Sequence, residues 1–244
     1  MKSAIALSGA LAFRPMKWTA ALSSALLISA CSSAPKPPDW QIEARNAMER
    51  SVAAYLEGNS RVETVELAHA RRQLSRTGRA DLLATAELVH CASRVASLVF
   101  EPCAGFEALR QDALPPQQAY ADYLRGQLDP AGVALLPPAQ RAAAAGDVNA
   151  LKDVADPLSQ LVAAGVLLQT DKASPAVIAQ AIDTASSQGW RRPLLAWLGV
   201  QLKRAEQGSD TQQAARLRRR IEIVQQGGVS AAKPPPPTME KKSP

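Results

Sequence analysis

Helix punctuation recurs along most of this chain, and it constrains the fold more than any other feature. Asp156-Pro157 and Ser174-Pro175 each set a side-chain oxygen ahead of a proline. Such an oxygen can accept from the free amides of a first helical turn, and proline fits the first helical position. Pro193 offers a further start. Gly58-Asn59, Gly78, Gly146, Gly189, Gly208 and Gly227-Gly228 supply stops. Between these marks Ala, Leu, Arg, Gln and Glu dominate, and only 4% of residues are aromatic. Long alternating runs of β-branched residues do not occur, so strands have no signal. The expected fold is all-α, built of antiparallel helical hairpins packed as a bundle or short array.

The pattern predicts helices over about 39–57, 60–78 and 80–99, the third apolar on most sides and therefore central, broken by Pro102. Pro115-Pro116 opens a short helix with Tyr120, Tyr123 and Leu124, and Asp129-Pro130 ends it. Pro137-Pro138 opens another. Further helices follow at 148–155, 158–169, 176–188 and 194–207. In the last, capped by Ser209 or Asp210, Ala214, Leu217, Ile221 and Val224 form an apolar seam closed by Gly227-Gly228. Residues 39–228 read as a single helical domain, with a possible subdivision near 105–137. Residues 229–244, with Pro234 to Pro237 and terminal lysines, read as a disordered tail. Tyr55-Leu56-Glu57-Gly58-Asn59 and Trp197-Leu198-Gly199 resemble pieces of the tetratricopeptide pattern. No period of thirty-odd residues repeats, so the likeness stops at helical hairpins.

The front of the chain has a different grammar. Residues 1–30 hold Lys2, Arg14 and Lys17 and no acidic residue. An apolar stretch from Trp18 to Ile28 is too short to span a bilayer and suits a signal-peptide core. Met16-Lys17-Trp18 would by itself start a compact leader. Ile28-Ser29-Ala30-Cys31 then resembles the lipobox of bacterial lipoprotein precursors. That resemblance implies cleavage before Cys31 and a covalent lipid on its sulfur and freed amine, with no other cofactor. Residues 31–38, Pro-rich after the cysteine, become a stiff tether. Ser32, a non-Asp residue after the cysteine, implies sorting to the outer membrane, with the body most simply on the periplasmic face.

This placement reorganises the charge and the cysteines. The formal +6 resides in the leader, Lys36 and the tail; residues 39–228 carry 21 basic and 21 acidic side chains. A neutral body excludes the clustered positive footprint of a nucleic-acid binder. With Cys31 lipidated, Cys91 and Cys103 remain as an even pair in an oxidising compartment. A disulfide between them is expected, two buried thiols being the alternative. His90 adjoins Cys91 on another helix face, a poor arrangement for a metal.

Catalytic motifs are absent: no Gly-x-Ser-x-Gly, phosphate loop or His-Glu-x-x-His occurs. His69 and His90 both fall inside predicted helices. Arg71, Arg72, Arg76 and Arg79, and Arg216 with Arg218 to Arg220, read as polar helix faces, or else as sites for anionic glycan, lipid headgroups or an acidic partner. Gly189-Trp190-Arg191-Arg192-Pro193 is the most distinctive string. Trp190 either plugs the core or anchors a partner, with Arg191 or Arg192 pairing a carboxylate. Trp40, just after the tether, has the same two readings. The function expected is a non-catalytic, lipid-anchored scaffold or adaptor with a protein partner in the envelope. The alternatives are an envelope enzyme acting on peptidoglycan or glycan, and a pilotin-like accessory lipoprotein of a secretion or pilus machine.

Overall fold

The computed structural model describes residues 36–229. The leader, Cys31 and the tail beyond Val229 lie outside the described residues. Ten α-helices occur within them: α1 (Asp39–Glu57), α2 (Ser60–Ser75), α3 (Ala80–Ala96), α4 (Ala104–Glu107), α5 (Pro115–Leu124), α6 (Pro138–Ala144), α7 (Pro157–Gln169), α8 (Pro175–Ser187), α9 (Arg191–Gln207) and α10 (Thr211–Val229). Three 3₁₀ segments, Arg110–Asp112, Pro130–Leu135 and Val148–Asp153, fill the middle. The described residues contain no strand, and none of their helices is long and apolar enough to cross a membrane.

Capping oxygens start the helices where the punctuation predicts. Asp156 Oδ2 accepts from Ser159 N at 2.7 Å and Ser174 Oγ from Val177 N at 3.3 Å. Asp210 rather than Ser209 caps the last helix, accepting from Gln213 N at 2.9 Å. At Gly58 the backbone turns left-handed (φ +90°), which glycine does without a Cβ penalty, and α1 stops.

Several boundaries differ from expectation. The third helix ends at Ala96, not near Val99, because Leu98 takes a left-handed turn (φ +60°) while its side chain packs on the core. The stretch 148–155 forms a 3₁₀ segment rather than an α-helix. The ninth helix begins at Arg191, so Pro193 sits inside its first turn, where no intrahelical amide is required. Gly227 and Gly228 do not stop α10, which runs through them to Val229.

Consecutive helices form hairpins: α1 packs most extensively on α2, α9 on α10, and α8 bridges α7 and α9. Helix α3 is central. It contacts α1, α2, α4, α5 and α7. It meets α7 closely at Gly165, where a Cβ would lie 2.5 Å from Val95 O; only a glycine permits that approach. The main core runs from Phe106, Tyr123 and Leu136 through Leu161 and Ile178 to Trp197, all 2% exposed or less. Trp197 Nε1 donates to Ala96 O at 3.1 Å, so its one polar atom is satisfied inside.

Candidate functional site

Two features stand out where the α1–α2 hairpin meets α3. The first is polar. Glu63 on α2 and Glu87 on α3 are buried carboxylates, about 5% exposed each. Arg71 on α2, 16 residues before Glu87 in sequence but adjacent in space, grips both its oxygens at 2.6 Å in a fork. Gly105 lies directly against the same carboxylate and leaves no room for a side chain. His90 Nε2 stands 3.3 Å from Glu63 Oε1 and 3.3 Å from Arg94 Nε. Burial, and after it the Arg94 charge, push the His90 pKa below the ordinary histidine value; Glu63 opposes them. The ring is neutral near pH 7, and its Nε2 accepts from Arg94 in one tautomer and donates to Glu63 in the other.

Behind this pair, Arg94 and Arg192 lie over the Tyr55 ring, 5.3 and 4.2 Å from its centroid. A cavity of about 250 Å³ opens beside the cluster. It is lined by Arg71, Glu87, His90, Arg94 and Arg125 and by the cysteine pair. Among the described residues, the side-chain partners of the His90 ring are Glu63 and Arg94. Together with Arg71 on Glu87, these contacts tie α2 to α3.

The second feature is an apolar trough across the opposite flank of α3. One cavity, about 370 Å³, has Trp40, Ala44 and Met48 of α1, Leu74 of α2 and Leu82 of α3 in its wall. Another, about 500 Å³, is bounded by Leu88, Tyr120, Leu135, Leu136, Pro137 and Pro138. Thr85 and Val89, one turn apart on α3, line both and join them. Sizes in this range are those of ligand- and segment-binding clefts.

The residues singled out from sequence land as follows. Cys91 and Cys103 are paired at disulfide distance, with Cα atoms 5.9 Å apart, joining the end of α3 to the start of α4. Trp190 is half-buried against the main core. Arg192 Nε donates to Tyr55 O at 2.7 Å and its Nη2 to Ser60 Oγ at 2.8 Å. Arg191 lies against Gly58. Arg192 thus fastens α9 to the turn between α1 and α2, and its donors are used within the chain. Within the arginine clusters, Arg71 pairs with Glu87, Arg79 with Asp81, Arg218 with Glu206 and Arg220 with Ser186. Trp40 is the residue whose partner-anchor reading finds an open surface. The trough's remaining walls went unnoticed in the sequence, since they come from seven separate elements and share no motif. Known proteins add nothing to this picture: no family model matches the sequence, and no curated protein or solved structure matches it.

Proposed function

We propose that the chain is a lipid-anchored adaptor of the bacterial envelope, held at the outer membrane through Cys31 and acting by binding a protein partner rather than by catalysis. The observation that carries the reading is the trough. Leu135 is 43% exposed and Trp40, Met48 and Leu82 are only partly covered, an open apolar groove of the form that a partner's side chains fill. Trp40 in its wall is a residue type enriched at binding hot spots. The neutral body and the engagement of the His90 cluster in internal contacts support the same reading.

Two experiments test it. Replacing Cys31 with Ser removes the acylated atom; the precursor is then expected to go unprocessed and to lose its lipid label. Unchanged mobility and unchanged lipid labelling would contradict the anchor. For the adaptor, amine-reactive crosslinking in intact cells followed by mass spectrometry is expected to join the chain reproducibly to one envelope protein. Failure to capture any protein, across crosslinkers of different reach, would remove the adaptor reading.

A further inference from the structure

We infer that the trough along α3 receives an amphipathic helix whose apolar face is flanked by acidic side chains. This rests on the adaptor reading and names the chemistry of its partner.

The argument begins with charge. The two cavities contain three charged residues in their walls, Arg45, Arg79 and Arg141, and no carboxylate. Arg79 is held by Asp81 through paired contacts of 3.1 and 2.6 Å, which fixes the fork beside the trough. Arg141 donates its Nε to Leu136 O at 2.8 Å. It forms no ion pair among the described residues, so its terminal nitrogens stand at the rim without an anion. Arg45 is likewise paired, with Glu49 at 2.8 Å, so among the three Arg141 is the cation left for a partner. An apolar floor with one unpaired guanidinium and no carboxylate in its walls selects against a basic segment and favours one that brings an acidic side chain.

Backbone chemistry then decides the form of the segment. The walls contributed by α1 and α3 have their amides committed to helical bonds, and Pro137 and Pro138 have no amide to offer. An extended strand entering the trough would find no edge to pair with. A helix satisfies its own backbone and presents only side chains, the mode by which amphipathic helices fill apolar grooves. Met48 and Leu135 suit that role; Met repacks easily around a partner side chain, and Leu135 is 43% exposed. A membrane surface is the rival source of apolar and anionic groups. A floor recessed between α1, α3 and α5 fits a rod of side chains better than a plane of headgroups.

Site-specific photocrosslinking tests this in cells carrying the full-length lipoprotein. Benzoylphenylalanine is placed at Thr85, at Leu135 and, as a control on another face, at Val65, which is 60% exposed on α2. Mass spectrometry of the digested product reads the captured segment. The expected product from Thr85 and from Leu135 is one protein segment with apolar residues at helical spacing and Asp or Glu beside them; Val65 does not yield it. Arg141→Glu is expected to lower the yield roughly tenfold or more, and Arg141→Lys, which loses the same Leu136 contact geometry but keeps the charge, to retain most of it, with the circular-dichroism spectrum of both variants unchanged. Phospholipid adducts, a segment without acidic flanks, or a yield indifferent to the charge reversal would overturn the inference. Silence at Thr85 and Leu135 while whole-protein crosslinking still captures a partner would overturn it alone and leave the adaptor standing. Silence in both assays removes the two together.

Discussion

The two ends of α3 are held by different forces. Toward α7, α8 and α9 the contacts are almost wholly apolar: Leu161, Ala163, Ile178, Ala181, Trp197 and Leu198 are at most 1% exposed. Toward the α1–α2 hairpin the shared apolar cluster shrinks to Ala44, Leu74 and Ala86, with Trp40, Met48, Leu82 and Leu83 only partly covered. Charge takes over there: Arg71 on Glu87, His90 between Glu63 and Arg94, Arg192 on Tyr55. Apolar burial is proportional to area and consumes the surface it uses. Directional polar contacts hold the hairpin at a few points and leave its apolar residues unspent. The half of the trough walled by α1, α2 and α3 lies along this hairpin, whose apolar residues the polar contacts leave unspent.

The largest test of this contrast compares one residue from each side. Trp197→Ala empties a fully buried site and orphans Ala96 O, and is expected to cost about 3–5 kcal/mol, on the order of 10 °C in Tm. Met48→Ala in the trough wall is expected to cost less than about 1.5 kcal/mol, since half-exposed side chains have less to lose. Urea denaturation of both variants decides; equal costs would mean that the hairpin side is packed as tightly as the other.

Next comes the disulfide. The Cys91–Cys103 pair closes a short loop of sequence separation 12 where the two regions meet. Reduction is expected to lower stability by about 3 kcal/mol in the chain-entropy description. Neither thiol is expected to label before reduction and both after it. Labelling of both in the untreated protein would show that the bridge is not formed.

A somewhat smaller effect is expected at the ion pair. Arg71→Met strands the buried Glu87 carboxylate and is expected to cost about 2–3 kcal/mol. The double variant Arg71→Met with Glu87→Met should recover most of that loss, because two well-packed apolar groups no longer require a counter-charge. A double variant as unstable as the single one would assign the loss to packing rather than to charge.

What was legible in the sequence divides along the same line. Caps, proline starts and apolar spacing are local, and they marked α1, α7 and α8 to within a residue. The Leu217–Ile221 seam of α10 was also readable, and Leu217 is buried while Ile221 packs on the core. Pairings across distance were not readable. Arg192 reaches Tyr55 over 137 positions, and nothing near Gly189-Trp190-Arg191-Arg192 announces it. Arg71 read as one of a solvated row, because its partner Glu87 sits in the next helix, 16 residues on. The early end of α3 was hidden too: a leucine turning left-handed has no sequence mark of the kind glycine gives. Trp40 was noticed from its place just after the tether, but the trough it lines is assembled from residues more than a hundred positions apart.

The finest test concerns one proton. His90 is held neutral by burial and by Arg94, so its folded pKa lies below the value of about 6.5 that it has in the unfolded chain. The groups facing it are Glu63 from α2 and Arg94 and Glu87 from its own helix, with Tyr55 of α1 and Arg192 of α9 behind Arg94. Below pH 6.5 the unfolded state takes up a proton that the folded state resists. Stability is therefore complete above that pH and declines as the pH falls toward the folded pKa. The carboxylates lowered by their arginines, Glu66, Asp81 and Glu107, lose their contributions only at more acidic pH. A comparison of pH 7.5 with pH 5.5 thus isolates the histidine among these groups. Burial is the largest cause of the shift, and opening the hairpin returns the charged ring to water, so the loss should fall on the hairpin first. Hydrogen exchange is expected to quicken in α2 at pH 5.5 while α7 stays protected, and His90→Gln should abolish the difference. Exchange that quickens equally in both helices would show that the polar contacts and the apolar core give way as one unit.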